Sequence, residues 1–519
     1  MASNKPQRAV ALLASLLLAG CTVGPDFAPP KPDTPAGWTE DALHPVGKSE
    51  QQRSTSTAPI ESRWWSSFDD PTFTSLIARA TAANLDLRQA ALRIAEARAE
   101  HDVTAAGLYP SLSGNAGYTR ERISEETAFT SLLGSIGGPH TPGSAPAGGV
   151  SGAIPSLPNP FDQYQWGFDA SWEIDLFGRV RRSVEAANAT TKATVEDRND
   201  LLVSLQGDVA RYYIDLRAAQ LRSSVLEDDL TSQREILDLT RDRARAGIGN
   251  DVDVANAAAE VTSTEAQVPQ ATAQISADIN QLSLLLALPP GALHGELETA
   301  KPVPPIPPAV PVGLPADLAR RRPDIRRAEA QLHAATAQVG VAVADLFPRL
   351  TLNADLGVQA ERFADLSNWA GRFFSLGPSL EIPIFSGGAR RATVALDDEK
   401  AEEAALTYAS TVLSALHDVE NALTAYGTEQ SRHSALAATL AQNRTALDLA
   451  QQRYESGVAG FLDVLYAERT LQQTELLLTD STAMQSTDLV ALYKALGGGW
   501  QTEPGAAENS PSGATPKTD

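Results

Sequence analysis

The chain is written twice, and each copy switches between two structural periods in the same order. Leu108-Tyr109-Pro110-Ser111-Leu112 returns as Leu346-Phe347-Pro348-Arg349-Leu350. Glu173-Ile174-Asp175-Leu176-Phe177 returns as Glu381-Ile382-Pro383-Ile384-Phe385, and an arginine pair follows each, at 181–182 and 390–391. Asp208-Val209 returns as Asp418-Val419. RARAGIGNDVDV, from Arg243 to Val254, returns as RYESGVAGFLDV, from Arg453 to Val464. Matches kept in one order mark a duplicated unit. The copies are placed at 62–287 and 316–496, joined by a proline-rich connector at 288–315.

Within each copy a helical stretch ends at a proline and a two-residue period begins. Pro110 pushes its predecessor out of the helical region, and Leu112, Gly114, Ala116 and Tyr118 then alternate with polar neighbours. The clearest strand follows: Tyr164, Trp166, Phe168, Ala170, Trp172, Ile174 and Leu176 alternate with Gln163, Gln165, Gly167, Asp169, Ser171, Glu173 and Asp175. The second copy repeats the pattern. The period predicts strands over about 111–120, 163–176, 350–359 and 373–385. Pro378 lies inside the last of these and demands a bulge or an unpaired position. Strands of this length cross a bilayer when tilted, with lipid on the apolar side and water on the polar one. A half-buried sandwich strand is the ordinary alternative.

The helices are too long for a globular core. From about 180 to 246 there is no proline and a single glycine, Gly207, so one helix there would run about 100 Å. Its counterpart covers about 389–456. Apolar residues recur in both at a heptad-like spacing, including Leu205, Val209, Tyr212 and Leu216 in the first and Val412, Leu416, Val419 and Leu423 in the second. Each helix turns at a glycine and returns, over 251–287 or 461–496. Shorter helices are predicted over about 84–108 and 324–346. The fold class is therefore an α+β membrane protein. Each repeat gives a β-hairpin of an oligomeric outer-membrane β-barrel and long antiparallel helices of a periplasmic α-barrel.

Closure requires company. An open sheet edge in lipid leaves backbone groups unpaired at several kcal/mol each, and four strands are fewer than the eight or so that the smallest barrels use. Several copies must share one barrel.

The N-terminus reads as an address. Lys5 and Arg8 precede an apolar run, Ala9 to Gly20, too short to span a membrane as a helix. It ends Leu18-Ala19-Gly20-Cys21, and Cys21 is the sole cysteine. This resembles the bacterial lipobox, which implies a signal peptide at 1–20 and a lipid such as palmitate on Cys21. Thr22, rather than an aspartate, implies sorting to the outer membrane. Residues 21–61, rich in proline, read as a lipid-anchored extended tether, and 497–519 as a disordered tail.

Composition removes other classes. The net charge is −22, which disfavours nucleic acid as a partner. One cysteine excludes a disulfide framework, and the seven histidines form no metal-binding pair at helical spacing. No nucleophile elbow, phosphate loop or dinucleotide-binding glycine pattern occurs. No cofactor and no enzymatic activity are expected.

Taken together the motifs resemble an outer membrane factor of the NodT type, the lipoprotein branch of the TolC-like efflux channels. The carrying residues are Cys21-Thr22-Val23-Gly24-Pro25-Asp26, Arg321-Arg322-Pro323-Asp324-Ile325, Leu346-Phe347-Pro348, Pro378-Ser379-Leu380 and Ile382-Pro383-Ile384-Phe385-Ser386-Gly387-Gly388. The resemblance implies a homotrimer with a 12-stranded barrel and a 12-helix tunnel. It implies a periplasmic membrane-fusion adaptor and an inner-membrane pump of the resistance-nodulation-division type as partners. The implied function is passive exit of small molecules in multidrug resistance. Arg243 with Gly247, and Arg453 with Gly457, resemble adaptor-docking turns; the tight helix–helix turn alone also accounts for the glycines. Asp253 and Asp463 match carboxylates of the closed periplasmic mouth, while a first-turn aspartate is favoured by the helix dipole in any case. Phe461 and Leu462 leave room for an apolar constriction beside Asp463. A surface lipoprotein serving as adhesin or coiled-coil spacer, without conduction, is the competing function.

Overall fold

A computed structural model describes residues 22–31, 34–39, 54–56, 61–122, 160–307 and 309–501. The chain divides into two compact units, each assembled from three stretches of sequence. The elements in chain order are β1 (Ser54–Ser56), α1 (Pro71–Ala83), α2 (Leu85–Ala105), β2 (Ser111–Glu121), β3 (Phe161–Ile174), α3 (Arg179–Arg245), α4 (Asp251–Glu265), α5 (Val268–Leu285), β4 (Ala309–Pro311), α6 (Pro323–Ala344), β5 (Arg349–Ala360), β6 (Arg372–Glu381), α7 (Ala389–Glu455) and α8 (Phe461–Ala495). Short 3-10 and one-turn helices lie between them.

The first unit holds residues up to Phe27, Ala99–Ala187 and Ala335–Lys400. Its centre is a four-stranded sheet in the order β2-β3-β5-β6, antiparallel throughout. The two hairpins of the duplicated sequence are joined through β3 and β5, where Tyr164 faces Ala360 and Ile174 faces Leu350. Pairing runs unbroken through Leu352 opposite Pro378, so no bulge forms. Pro378 is accommodated because β6 is an edge strand, where a missing N–H is tolerated.

The second unit holds Ala28–Arg98, Asn188–Ala334 and Ala401 onward. Its core gathers Trp64, Trp65, Phe68, Phe73, Tyr213, Ile279, Leu282, Leu489 and Tyr493. Trp64 stacks on Tyr493 and Phe73 on Tyr213, with centroids 5.0 and 5.4 Å apart. Capping starts the helices around it. Asp70 accepts from the N–H of Thr72 at 2.8 Å and of Phe73 at 3.1 Å ahead of α1, and Asn84 does the same for Asp86 and Leu87 ahead of α2. The guanidinium of Arg217 is fully buried yet served by Gln220, Thr299 O and Tyr213 Oη. Burial and the Asp70 carboxylate push the Tyr213 phenol up to about 12.

Several expectations are corrected. The return stretch 251–287 is two helices, not one. Pro269 lacks the N–H to continue the ladder and its ring excludes the preceding helical carbonyl, so the chain breaks at Ala266–Gln267 between α4 and α5. The strand placed at 373–385 ends at Glu381, because Pro383 cannot donate to a ladder. The strand placed at 163–176 runs from Phe161 to Ile174. The helix at 84–108 is α2 followed by a 3-10 turn, Ala106–Leu108. The described parts of the N-terminal segment are held rather than free: Val23 N–H donates to Phe177 O at 3.1 Å in the first unit, and Trp38 Nε1–H donates to Gly313 O at 3.1 Å in the second. The tail does not begin at 497. Gln206 donates to Gly499 O at 2.9 Å, Trp500 Nε1–H donates to Arg321 O at 2.7 Å, and Arg326 lies over the Trp500 ring. The signal peptide, Cys21, most of the loop at 122–162 and the tail from 502 lie outside the described residues.

Candidate functional site

The sheet sorts its side chains by chemistry, as a period of two with fixed register must. One face carries Leu112, Ala116 and Tyr118 from β2, and Tyr164, Trp166, Phe168 and Trp172 from β3. It continues with Leu352, Leu356 and Val358 from β5 and Phe374, Leu376 and Leu380 from β6. Most of these are exposed; Phe374 is 82% and Leu112 72% accessible. An apolar patch of this breadth needs a covering. The opposite face carries Asn115, Gln165, Asp169, Ser171, Asn353, Asp355 and Ser379, with Asn115 donating to Asp169 at 2.5 Å. Eleven residue pairs join β3 to β5, about 37 Å of strand. Tilted by about 40°, that covers roughly 28 Å, enough for an outward band of about 25 Å. No helix among the described residues is long and apolar enough to cross a membrane.

The second constellation is the pair of turns between the long helices, both in the second unit. At the end of α3, Gly247 N–H donates to Ala244 O at 3.0 Å and Ile248 N–H to Arg243 O at 3.1 Å. At the end of α7, Gly457 N–H donates to Tyr454 O at 3.0 Å and Val458 N–H to Arg453 O at 2.9 Å. The glycines have φ of 75° and 73°. This is the left-handed helix cap, and it favours Gly four residues after the residue whose carbonyl accepts the wider-spanning bond. The cap accounts for both glycines; each arginine enters it only through a carbonyl that any residue would supply.

Their side chains differ. Arg243 Cζ lies 4.5 Å from the Tyr454 ring centre, and Arg243 Nη1 donates to Glu455 O at 3.4 Å. Arg453 is exposed. Beneath the turns sits a small core of Ile236, Leu237, Ala257, Val261, Tyr454, Phe461, Val464 and Leu465. Phe461 is 2% exposed and its ring centre is 5.8 Å from that of Tyr454. It is a packing residue and cannot form the apolar constriction; Leu462 beside it is exposed. Asp253 and Asp463 lie in the first turns of α4 and α8, Asp253 half-buried and Asp463 exposed.

Further along the same helices lies a buried polar layer that the repeat pattern did not reveal. Glu260 on α4 takes two donations from Arg469 on α8, at 2.8 and 2.5 Å. Glu468 Oε1, Asp229 Oδ2 and both polar atoms of the Gln233 side chain make no hydrogen bond among the described residues. Burial first, then the Glu260 and Asp229 charges, push the Glu468 carboxyl up to about 7 against the pull of Arg469. Burial and the Glu475 charge push Asp229 up to about 7. Glu260 and Glu468 occupy no equivalent positions in the two copies, so no repeat signal marks them. Among the described residues no group of His, Cys, Asp and Glu is arranged to hold a metal ion.

Residues 76–288 and 314–498 match the model of the outer membrane efflux protein family. The chain belongs to this family. The solvent efflux pump outer membrane protein SrpC of Pseudomonas putida is 33% identical over 499 residues, covering 95% of this chain and 98% of that protein. Nodulation protein T of Rhizobium leguminosarum bv. trifolii is 32% identical, covering 94% and 96%. The solved outer-membrane channel OprN superposes with a TM-score of 0.82 at 34% identity, covering 93% of this chain and all of that one. The family is one of transport ducts rather than enzymes. The expected fold class holds: strands of an outer-membrane barrel and long periplasmic helices. The protein is an outer-membrane exit duct for efflux, the outer component of a tripartite pump. Membership of an efflux family counts against the competing reading as adhesin or spacer.

Proposed function

We propose that three copies close their sheets edge to edge into a 12-stranded barrel whose polar faces line a water-filled lumen. The observation that carries this is the pair of edges, β2 and β6, unpaired among the described residues and flanking a sheet with one exposed apolar face. In lipid each unpaired edge group costs several kcal/mol, and pairing β6 of one copy with β2 of the next removes both edges, Pro378 having no N–H to leave unpaired on either side. A Cys21 lipid tethers the assembly to the inner leaflet of the outer membrane.

The helical turns form the periplasmic end. The exposed Arg453, together with the exposed Ile248, Val458 and Leu462 of the two turns, docks a periplasmic adaptor of an inner-membrane pump of the resistance-nodulation-division class. Arg243 contributes chiefly by fixing the turn, since its side chain already stacks on Tyr454. Asp253 and Asp463 ring the mouth and favour cations. Cargo is small organic molecules; the relatives named for solvent and toluene efflux support apolar compounds among them.

Conductance of the purified protein in planar bilayers tests the reading. The expected result is cation-selective current, with selectivity falling several-fold in an Asp253→Asn, Asp463→Asn double variant. Protein that crosslinks as a monomer and passes no current in either form overturns it. Susceptibility of a deletion strain to solvents, dyes, detergents, antibiotics and metals reads the cargo.

A further inference from the structure

Two glycines and one arginine of the first unit build a slot around Thr22–Asp26, and a third glycine lies within that segment. Gly178 has φ of 85°, and a Cβ placed on it would stand 2.9 Å from Thr22 Cγ2 and 3.0 Å from Thr22 Cα. Gly24 has φ of 88°, and its Cβ would stand 2.6 Å from the Cα of Gly340 inside α6. A Cβ on Gly340 would in turn meet the Arg182 side chain at 2.9 Å. Backbone lies on backbone at this crossing, which only glycine permits. Polar contacts complete the fit. Val23 N–H donates to Phe177 O at 3.1 Å. Arg182, 5% exposed at its side chain, donates to Val23 O at 3.4 Å, to Asp26 Oδ1 at 2.5 Å and to Glu185 Oε2 at 2.8 Å. Phe177 is held from its other side by Phe347, with ring centres 4.8 Å apart.

We propose that this glycine–arginine slot is the seat of the lipidated N-terminus, fixing the anchor beside the end of β3 instead of leaving it on a leash. The proposal rests on the reading of Cys21 as the lipid-bearing residue. Thr22 is joined to Cys21 by one peptide bond, and Gly178 follows the last residue of β3 by four positions. A lipid on a free segment of about 40 residues would roam on the order of 35 Å from its attachment. Seated, it enters the bilayer next to a membrane-crossing strand, and the ordering entropy has been met by the folded unit rather than at each encounter with the membrane. The asymmetry of the Asp26–Arg182 pair fits this role. The arginine is buried and preorganised, while Asp26 is 86% exposed at its side chain and arrives from outside.

The test uses full-length protein in outer-membrane vesicles. Cys21 is the sole cysteine, and a thioether lipid leaves it unreactive, so a nitroxide placed through Pro25→Cys labels one exposed site within the seat. The expected spectrum is immobilised in otherwise unsubstituted protein, and the immobilised component is lost in Gly340→Val, where the new side chain runs into the Arg182 side chain and displaces it from Val23 and Asp26. Arg182→Gln, which adds no bulk, is expected to lose most of it as well and guards against a Gly340→Val chain that does not fold. A mobile label in the unsubstituted protein, or an immobilised one in both folded variants, overturns the seat. The mass of the N-terminal peptide reads the lipid separately: acyl chains on Cys21 support the proposal, and their absence overturns the lipid reading whatever the label shows.

Discussion

The two helical turns descend from one duplicated segment and are held by opposite means. Aligned by their cap glycines, Asn250 corresponds to Gly460 and Asp251 to Phe461. In the first turn the side chain of Asn250 accepts from Val252 N–H at 3.0 Å and caps α4. In the second, Gly460 offers no side chain, and α8 is anchored by Phe461 driven into the small core under Tyr454. Gly249 is pressed against the backbone of Ala244, where a Cβ would come within 2.7 Å. The matching position holds Ala459, whose N–H donates to Arg453 O at 3.1 Å. Even the arginines part company, one stacked on a tyrosine and one facing solvent. Duplication preserved the backbone cap, because its glycine admits no substitute without strain. It let the flanking contacts diverge, because either a polar cap or an apolar anchor starts a helix.

The largest expected effect breaks that comparison on the apolar side. Phe461→Ala removes a buried aromatic from a core with few other members, at a cost of about 3–5 kcal/mol. Asp251→Ala, at the equivalent place, removes one favourable dipole contact worth about 0.3–1 kcal/mol. Hydrogen exchange of the first turns of α4 and α8 measures both. Protection should collapse at α8 in the first variant and change little at α4 in the second. Equal losses would mean that the turns are held alike.

A smaller effect comes from the buried layer further along the same helices. Glu468 and Asp229, each pushed up to about 7 mainly by burial, bind more protons folded than unfolded between about pH 4 and 7. Their neutral forms therefore support local structure fully below about pH 4, and that support is lost as pH rises through 7. The groups facing them are Glu260, Arg469, Glu475 and Asp228, so ionisation adds like charges to a layer with few cations. Protection of α4 and α8, corrected for intrinsic exchange, should be higher at pH 5.5 than at pH 8. Glu468→Gln should flatten that slope and raise protection at pH 8 by about 1–3 kcal/mol. A slope unchanged in Glu468→Gln would remove this residue from the pH response.

What the sequence makes legible follows the same division between backbone pattern and tertiary contact. The sheet faces could be read because period two is binary: once Trp166 faces one way, Gln165 and Gly167 face the other. The cap glycines could be read because a helix that reverses needs a left-handed residue. Phe461 could not. With Leu462 it reads as room for an apolar constriction, and its burial depends on Tyr454 across the turn. The break before α5 was present in Pro269, but the surrounding alanines and glutamines continue a helical pattern through it. The N-terminal slot left no local trace, since Arg182 and Asp26 lie 156 residues apart and a positive φ at Gly24 has no signature beyond glycine itself.

The ends of the two repeats sharpen the comparison most finely. α5 closes on Ala287, with φ of 54°, its N–H donating to Leu284 O at 3.0 Å and that of Leu288 to Ser283 O at 2.8 Å. α8 closes in the same way on Gly497, with φ of 68° and the corresponding bonds to Lys494 O and Tyr493 O. Alanine in the left-handed region costs about 1–2 kcal/mol. Ala287 is exposed and has room to keep its methyl, so Ala287→Gly should gain somewhat under 1 kcal/mol once the added freedom of the unfolded chain is counted against it. Gly497→Ala should lose more than that. Its Cβ would stand 3.0 Å from Arg322 Cγ and 3.1 Å from Arg322 Cα, where the backbone cannot give way as a flexible side chain does. Opposite signs for the two swaps, read as exchange protection in the last turns of α5 and α8, would show that the same cap tolerates alanine only where nothing packs against it.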